Sequence, residues 1–125
     1  MANTLALIVT TPAYSNLSVT ALNIAQSAIE NGVELIGVFF YQQGVLNAAK
    51  YLSIPSDEYQ IADEWQNLHE QHNIPLHLCI TAAEKNALSD DKDIIETSNI
   101  NDCFTVSGLG ELVELTASAE RVIQL

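Results

Sequence analysis

The run Leu35-Ile36-Gly37-Val38-Phe39-Phe40 is apolar at every position, with no polar residue alternating into it. A strand with one wet face shows a period of two. A run without that period must be covered on both faces, as happens in parallel sheets flanked by helices. The strand extends over Val33–Tyr41, and Thr4–Thr10 reads the same way, apolar and ending on β-branched Ile8, Val9 and Thr10. Between the two, Thr11-Pro12-Ala13-Tyr14-Ser15-Asn16 breaks the chain. Leu17, Ala21, Ile24, Ala25, Ala28 and Ile29 then recur at helical spacing up to an Asn31-Gly32 stop.

The alternation continues downstream. Gln42-Gln43-Gly44 turns the chain into a short helix expected around Val45–Tyr51, and Pro55-Ser56-Asp57 marks a loop and a helix start. Ile61, Trp65, Leu68 and His72 fall on one face of the next helix, which must stop before Pro75. A short strand, Leu76–Ile80, runs into a helical start at Thr81. Ser89–Asn101 is polar and acidic with little periodicity, so it is expected to be a mobile loop and a candidate lid over Cys79. Phe104-Thr105-Val106 reads as a strand. Gly108-Leu109-Gly110 opens a helix bearing Leu112, Val113, Leu115 and Ala119, and Arg121–Leu125 is a terminal strand.

Strands alternating with helices predict an α/β fold, a three-layer α/β/α arrangement around a mostly parallel sheet of about five strands, wound right-handedly. A chain of 125 residues is expected to form one domain over 1–125. In such sheets functional groups gather beyond the carboxyl ends of the strands. That rule puts Thr10–Tyr14, Tyr41–Gly44, Cys79–Ala82 and Ser107–Gly110 on one edge; which of them touch depends on strand order.

Charge narrows the function classes. Sixteen acidic residues against four basic ones give a net charge of -12, a surface that repels nucleic-acid phosphate and anionic lipid. Direct RNA or DNA binding is disfavoured; a pathway ending on nucleic acid would need another protein to hold it. No apolar stretch approaches the roughly 18–20 residues of a membrane span, and no basic segment precedes the first apolar run, so a secretory signal is not expected. Two cysteines outside any CxxC pair make no disulfide framework. These readings point to a reducing cytoplasm.

Among chemical candidates Cys79 leads. It lies where a strand meets a helix, near free backbone N–H groups and the positive end of a helix dipole, which favour the nucleophilic thiolate. The alternative is a buried small hydrophobe. Gly108-Leu109-Gly110 lacks the third glycine of a dinucleotide loop, and no GxxxxGK[ST] occurs. Thr10, Thr11 and Ser15 offer hydroxyls for a phosphate, but Pro12 removes an N–H and no glycine permits close approach. Thr10-Thr11-Pro12 supplies none of the carboxylates a magnesium-dependent phospho-acceptor needs. His69, His72 and His77 show no standard metal spacing, so no metal is expected. His77 and Cys79 alternate onto one strand face, where His77 either tunes the thiol or is a packed, hydrogen-bonded side chain. A Cys–His hydrolase would further need an oxyanion hole, which is not legible. Trp65, Phe39 and Phe40 read as core. Tyr14 and Tyr41 are candidates for a site wall or partner surface, and Asp90, Asp91 and Asp93 read as solvated loop or a docking patch for a basic partner.

Over nearly its full length the chain resembles the TusD/DsrE family of sulfur-relay proteins. The similarity rests on Thr11-Pro12-Ala13-Tyr14, on Val38-Phe39-Phe40-Tyr41 with Gly44-Val45 and Asn47-Ala48, and on Ser56-Asp57-Glu58 before the Trp65 helix. It continues with Cys79 before Thr81-Ala82-Ala83, then Phe104-Thr105-Val106-Ser107-Gly108-Leu109-Gly110 and Arg121-Val122. The resemblance implies a DsrE-like fold and a sulfurtransferase whose one reactive cysteine, at Cys79, accepts sulfane sulfur from a TusA-like donor. Held as a persulfide, the sulfur passes to a TusE-like acceptor for 2-thiolation of the wobble uridine of transfer RNA. It also implies a heterohexamer with TusB-like and TusC-like subunits, and no cofactor. Alternatives within the resemblance are a DsrE-like role in dissimilatory sulfur oxidation or a non-catalytic assembly subunit. Where relatives often carry basic residues after the cysteine, this chain has Glu84-Lys85-Asn86-Ala87. Cys103 lies outside the pattern and reads as structural.

Overall fold

The computed structural model describes residues 3–89 and 99–125. Its elements run β1 (Thr4–Val9), α1 (Asn16–Glu30), β2 (Glu34–Phe40), a 3-10 helix (Gln42–Ala48), α2 (Ile61–His72), β3 (Leu76–Cys79), α3 (Ile80–Lys85), β4 (Phe104–Ser107), α4 (Leu109–Ser118) and β5 (Arg121–Gln124). Five strands form one sheet in the order β4-β3-β2-β1-β5, and every pairing is parallel. The expected α/β sheet of about five strands is what forms.

Local chemistry sets the boundaries. Ser15 caps α1, its hydroxyl accepting from the Leu17 N–H at 3.2 Å. Gly32 ends the helix at φ +76°, letting the Val33 N–H reach back to the Ala28 carbonyl at 2.8 Å and the Gly32 N–H to Ile29. This is the Schellman arrangement, which needs a left-handed residue where a side chain would be strained. Asn73 takes the same role after α2 at φ +57°, two residues before the proline that forbids continuation.

Chain direction decides which face each helix covers. Steps from β1 through β4 all move one way across the sheet, so right-handed crossovers put their helices on one face, whereas the return from β4 to β5 puts α4 on the other. On the first face Phe40 meets Trp65 of α2 and Phe104 of β4 edge-on, each at 5.1 Å between ring centroids, a geometry worth about 0.5–1.5 kcal/mol per pair beyond burial. On the second face Leu115 of α4 sits over Gly37, where an added Cβ would lie 2.9 Å from its side chain. Among the described residues the layers are therefore unequal: α4 is the one helix over the second face, and Leu109, Val113 and, on β5, Val122 are exposed.

Two local expectations are corrected. The short helix is 3-10, begins at Gln42 and ends at Ala48, because Gly44 lets the backbone lie against β1: a Cβ there would stand 1.9 Å from the Val9 carbonyl oxygen. His72 does not continue the apolar stripe of Ile61, Trp65 and Leu68; it is exposed at the last turn of α2. Residues 90–98 of the acidic stretch, with Asp90, Asp91 and Asp93, lie outside the described residues. The flanks are tied together, the Asn99 N–H donating to the Ser89 carbonyl at 3.0 Å and the Asn101 N–H to Ala48 at 2.8 Å.

Candidate functional site

Strand order brings three of the four expected segments together. β2, β3 and β4 are neighbours, so their carboxyl ends deliver Tyr41-Gln42, Cys79–Ala82 and the Ser107–Gly110 turn to one place. There a cavity of about 170 Å³ is lined by Cys79, by Tyr41 and Gln42, by Thr81, Ala82, Lys85 and Asn86 of α3, and by Leu109 of α4. Gln42, Thr81, Lys85 and Leu109 are exposed at its rim. Cys79 itself is only 1% exposed. The thiol is therefore not on an open surface, and the cavity is the space it borders.

The backbone explains the placement. Cys79 is the last residue of β3, still extended at φ -66° and ψ 120°, and is also the N-cap of α3. Its side chain makes no capping hydrogen bond; the first-turn N–H groups of a helix lack intrahelical partners. Lys85, one of the chain's four basic residues, closes α3 and contributes a cation to the cavity wall. Gln42 holds φ +53°, a left-handed conformation costing a non-glycine residue about 1–2 kcal/mol; it swings the chain from β2 directly into the 3-10 helix.

Beside the cavity runs a short polar chain. His77 shares the strand face of Cys79, its Nδ1 3.1 Å from the Ser107 hydroxyl and its Nε2 3.5 Å from a carboxylate oxygen of Glu111 on α4. Ser107 is the register partner of Cys79 across the β3–β4 ladder. The histidine is thus hydrogen-bonded, as one of its two readings had it.

Other candidates lie elsewhere. The Thr10–Tyr14 segment ends one strand beyond β2. There the Thr10 hydroxyl donates to the Leu125 carbonyl at 3.0 Å, and Tyr14 is exposed. Gly108 and Gly110 would each accept a Cβ with nothing within 4 Å, so neither is a close-approach glycine. His69 bonds the Ile74 carbonyl through Nδ1 at 2.9 Å, at the far end of the sheet from Cys79. Among the described residues no group of three or more His, Cys, Asp or Glu could hold a metal. Cys103 lines a separate cavity with His69, Glu70 and Asp102. Burial pushes its thiol up to about 11, with Glu70 and Asp102 adding to the shift and a backbone hydrogen bond offsetting part of it.

Sequence reasoning missed Asn47. Fully buried, it donates through Nδ2 to the carbonyls of Thr11 at 3.1 Å and Gly44 at 2.9 Å, and its Oδ1 accepts from the Trp65 indole N–H at 3.1 Å. Buried Ser18 joins it by donating to the Thr11 and Pro12 carbonyls. Every side-chain polar atom buried among the described residues has a partner. This network fastens the 3-10 helix, and so the Tyr41-Gln42 wall, to β1 and α2.

Comparison with known proteins agrees with this architecture. The protein named "Sulfurtransferase TusD" of Klebsiella pneumoniae is 38% identical over 124 residues, covering 95% of this chain and 97% of the relative. The protein of the same name from Salmonella arizonae is 39% identical with the same coverage. In three dimensions the ychN protein of E. coli superposes over 100% of both chains with a TM-score of 0.79 at 23% identity, which speaks for the fold alone. The model of the DsrE/DsrF-like family matches residues 3–125, and with relatives of that similarity spanning its length, the chain belongs to the DsrE/DsrF-like family.

Proposed function

We propose that this chain is a sulfurtransferase carrying sulfane sulfur as a persulfide on Cys79, within a protein relay that serves 2-thiolation of the transfer-RNA wobble uridine. The observation that carries the reading is a thiol on the floor of a surface cavity at a strand–helix junction, in a chain whose relatives bear the name sulfurtransferase TusD. In the uptake step the Cys79 thiolate attacks the outer sulfur of a donor persulfide. A new S–S bond forms at Cys79, the donor's S–S bond breaks, and the donor cysteine leaves as a thiolate, as in thiol–disulfide exchange. Passing the sulfur on repeats the exchange with an acceptor thiolate, leaving Cys79 reduced. No net oxidant or cofactor enters either step.

The cavity suits an added sulfur atom. Its 170 Å³ is several times the about 30 Å³ that one water occupies in the liquid. Lys85 on the wall and the N–H groups opening α3 are the groups available to an anionic sulfur; Glu84 beside Lys85 opposes them. Both cysteines are free thiols, a state that suits a reducing cytoplasm. The net charge of -12 keeps transfer RNA away from this chain, so a TusA-like donor and a TusE-like acceptor bracket it in the relay. The exposed apolar side chains of α4 and β5 are the faces we assign to TusB-like and TusC-like subunits of a heterohexamer.

One observation favours a second reading: at 1% exposure, Cys79 is as buried as the idle thiol of an assembly subunit would be. Sulfane-sulfur labelling followed by intact mass decides between them. The wild-type protein gains one sulfur atom, reversible by reductant, and Cys79→Ser folds but gains none. Unimpaired labelling of that variant rejects Cys79 as the carrier, and absence of labelling in the wild type favours the assembly role.

A further inference from the structure

We infer that Ser107, bonded to His77, which in turn faces Glu111, is the positioning residue for the sulfur borne on Cys79; the inference rests on the persulfide reading and adds to it a group that would steady the charge. Three placements carry it. Ser107 and Cys79 are directly paired across the parallel β3–β4 ladder, and residues so paired present side chains to the same sheet face. Cys79 keeps extended backbone angles, so the alternation that turns His77 toward Ser107 turns the thiol the same way. His77 is gripped at both ring nitrogens, by the Ser107 hydroxyl at 3.1 Å and the Glu111 carboxylate at 3.5 Å.

The hydrogen-bond inventory of this chain gives Ser107 two settings. With His77 neutral and its Nε2–H turned to Glu111, Nδ1 accepts from the Ser107 hydroxyl. With both ring nitrogens protonated, Nδ1–H donates to Ser107 Oγ, and the hydroxyl, which also faces the Thr105 carbonyl at 3.4 Å, can turn its proton to an anionic sulfur instead. A persulfide extends the side chain by one S–S bond, about 2.05 Å, and places its charge on the outer sulfur. The second setting offers that sulfur a donor, and no covalent bond to Ser107 forms or breaks. The Glu111–His77 pair therefore sets the serine's role without touching the reacting atoms, and Leu109, two residues after Ser107, forms part of the cavity wall.

The test measures the rate of persulfide formation on the full chain with a small-molecule persulfide donor, read by mass, alongside thermal melting. Ser107→Ala is expected to slow persulfide formation about tenfold with unchanged melting, and Ser107→Thr, which retains the hydroxyl, is expected to restore most of the rate. His77→Phe is expected to match Ser107→Ala, and the double variant to lose no more than either alone. Rates for Ser107→Ala and His77→Phe equal to wild type overturn the inference while leaving Cys79 as carrier. A Ser107→Thr variant as slow as Ser107→Ala overturns it as well, because the site would then be reporting packing and not the hydroxyl. Failure of the wild-type protein to take up any sulfur strikes the persulfide reading itself.

Discussion

The two cysteines share a side chain and differ in everything around it. Cys79 ends a strand and faces a cavity whose wall carries Lys85. Cys103 lies in a pocket lined by Glu70 and Asp102, where burial and then those carboxylates hold the thiol as S–H up to about pH 11. The thiolate is the reactive form, so Cys103 is expected to stay silent toward iodoacetamide at neutral pH and to react only as the pH climbs toward 11. A folded-state value above the ordinary 9.0 also means that stability declines across that window, since the unfolded chain releases the proton first. Peptide mapping after alkylation across pH 7–11 checks the first point; rapid neutral-pH labelling of Cys103 contradicts it. At this scale the sequence was informative about Cys79 because a strand–helix boundary is local. It put Ser107 on the same sheet edge but did not join it to His77 or bring in Glu111, because His77 and Ser107 are 30 residues apart and meet only through strand order. Asn47 enters the sequence reading only within the Asn47-Ala48 match; its burial and its bond to Trp65, 18 residues on, come from the fold and leave no local pattern.

The 3-10 helix is the element on which the site wall depends. It leaves β2 through left-handed Gln42, lies against the Val9 carbonyl at Gly44, and is tied down by Asn47 and Trp65. Gly44→Ala places a methyl group on a backbone oxygen that cannot rotate away, and forced overpacking of this kind costs about 1–3 kcal/mol. Urea denaturation is expected to show a midpoint lowered by that loss divided by the m-value; an unchanged midpoint contradicts the close approach. Strands were read to within a residue or two because continuous apolar runs and Pro/Gly punctuation are strong signals. The 3-10 helix was misplaced because Val45, Leu46 and Ala48 present no full helical period, and a glycine needed for backbone contact looks like an ordinary turn glycine. His72 fits the stripe by spacing alone, which does not say whether anything covers it, and it is exposed.

For the molecule as a whole, a single chain direction through β1–β4 and one return to β5 account for both the parallel sheet and its unequal cover. They also place the candidate thiol between β2 and β4, where neighbouring strand ends can build a cavity around it. The alternation of strands and helices was legible from residue patterns; the order β4-β3-β2-β1-β5 was not, because parallel pairing leaves no local mark such as a hairpin turn. Sulfur transfer at Cys79 requires that reagents reach the thiol in the folded protein. Measuring its alkylation rate in native buffer and in denaturant, with Cys103→Ala as background, addresses this directly. Labelling through the cavity is expected to proceed in the native state at a rate independent of small additions of urea. A Cys79 that reacts only at the rate of global unfolding contradicts the account.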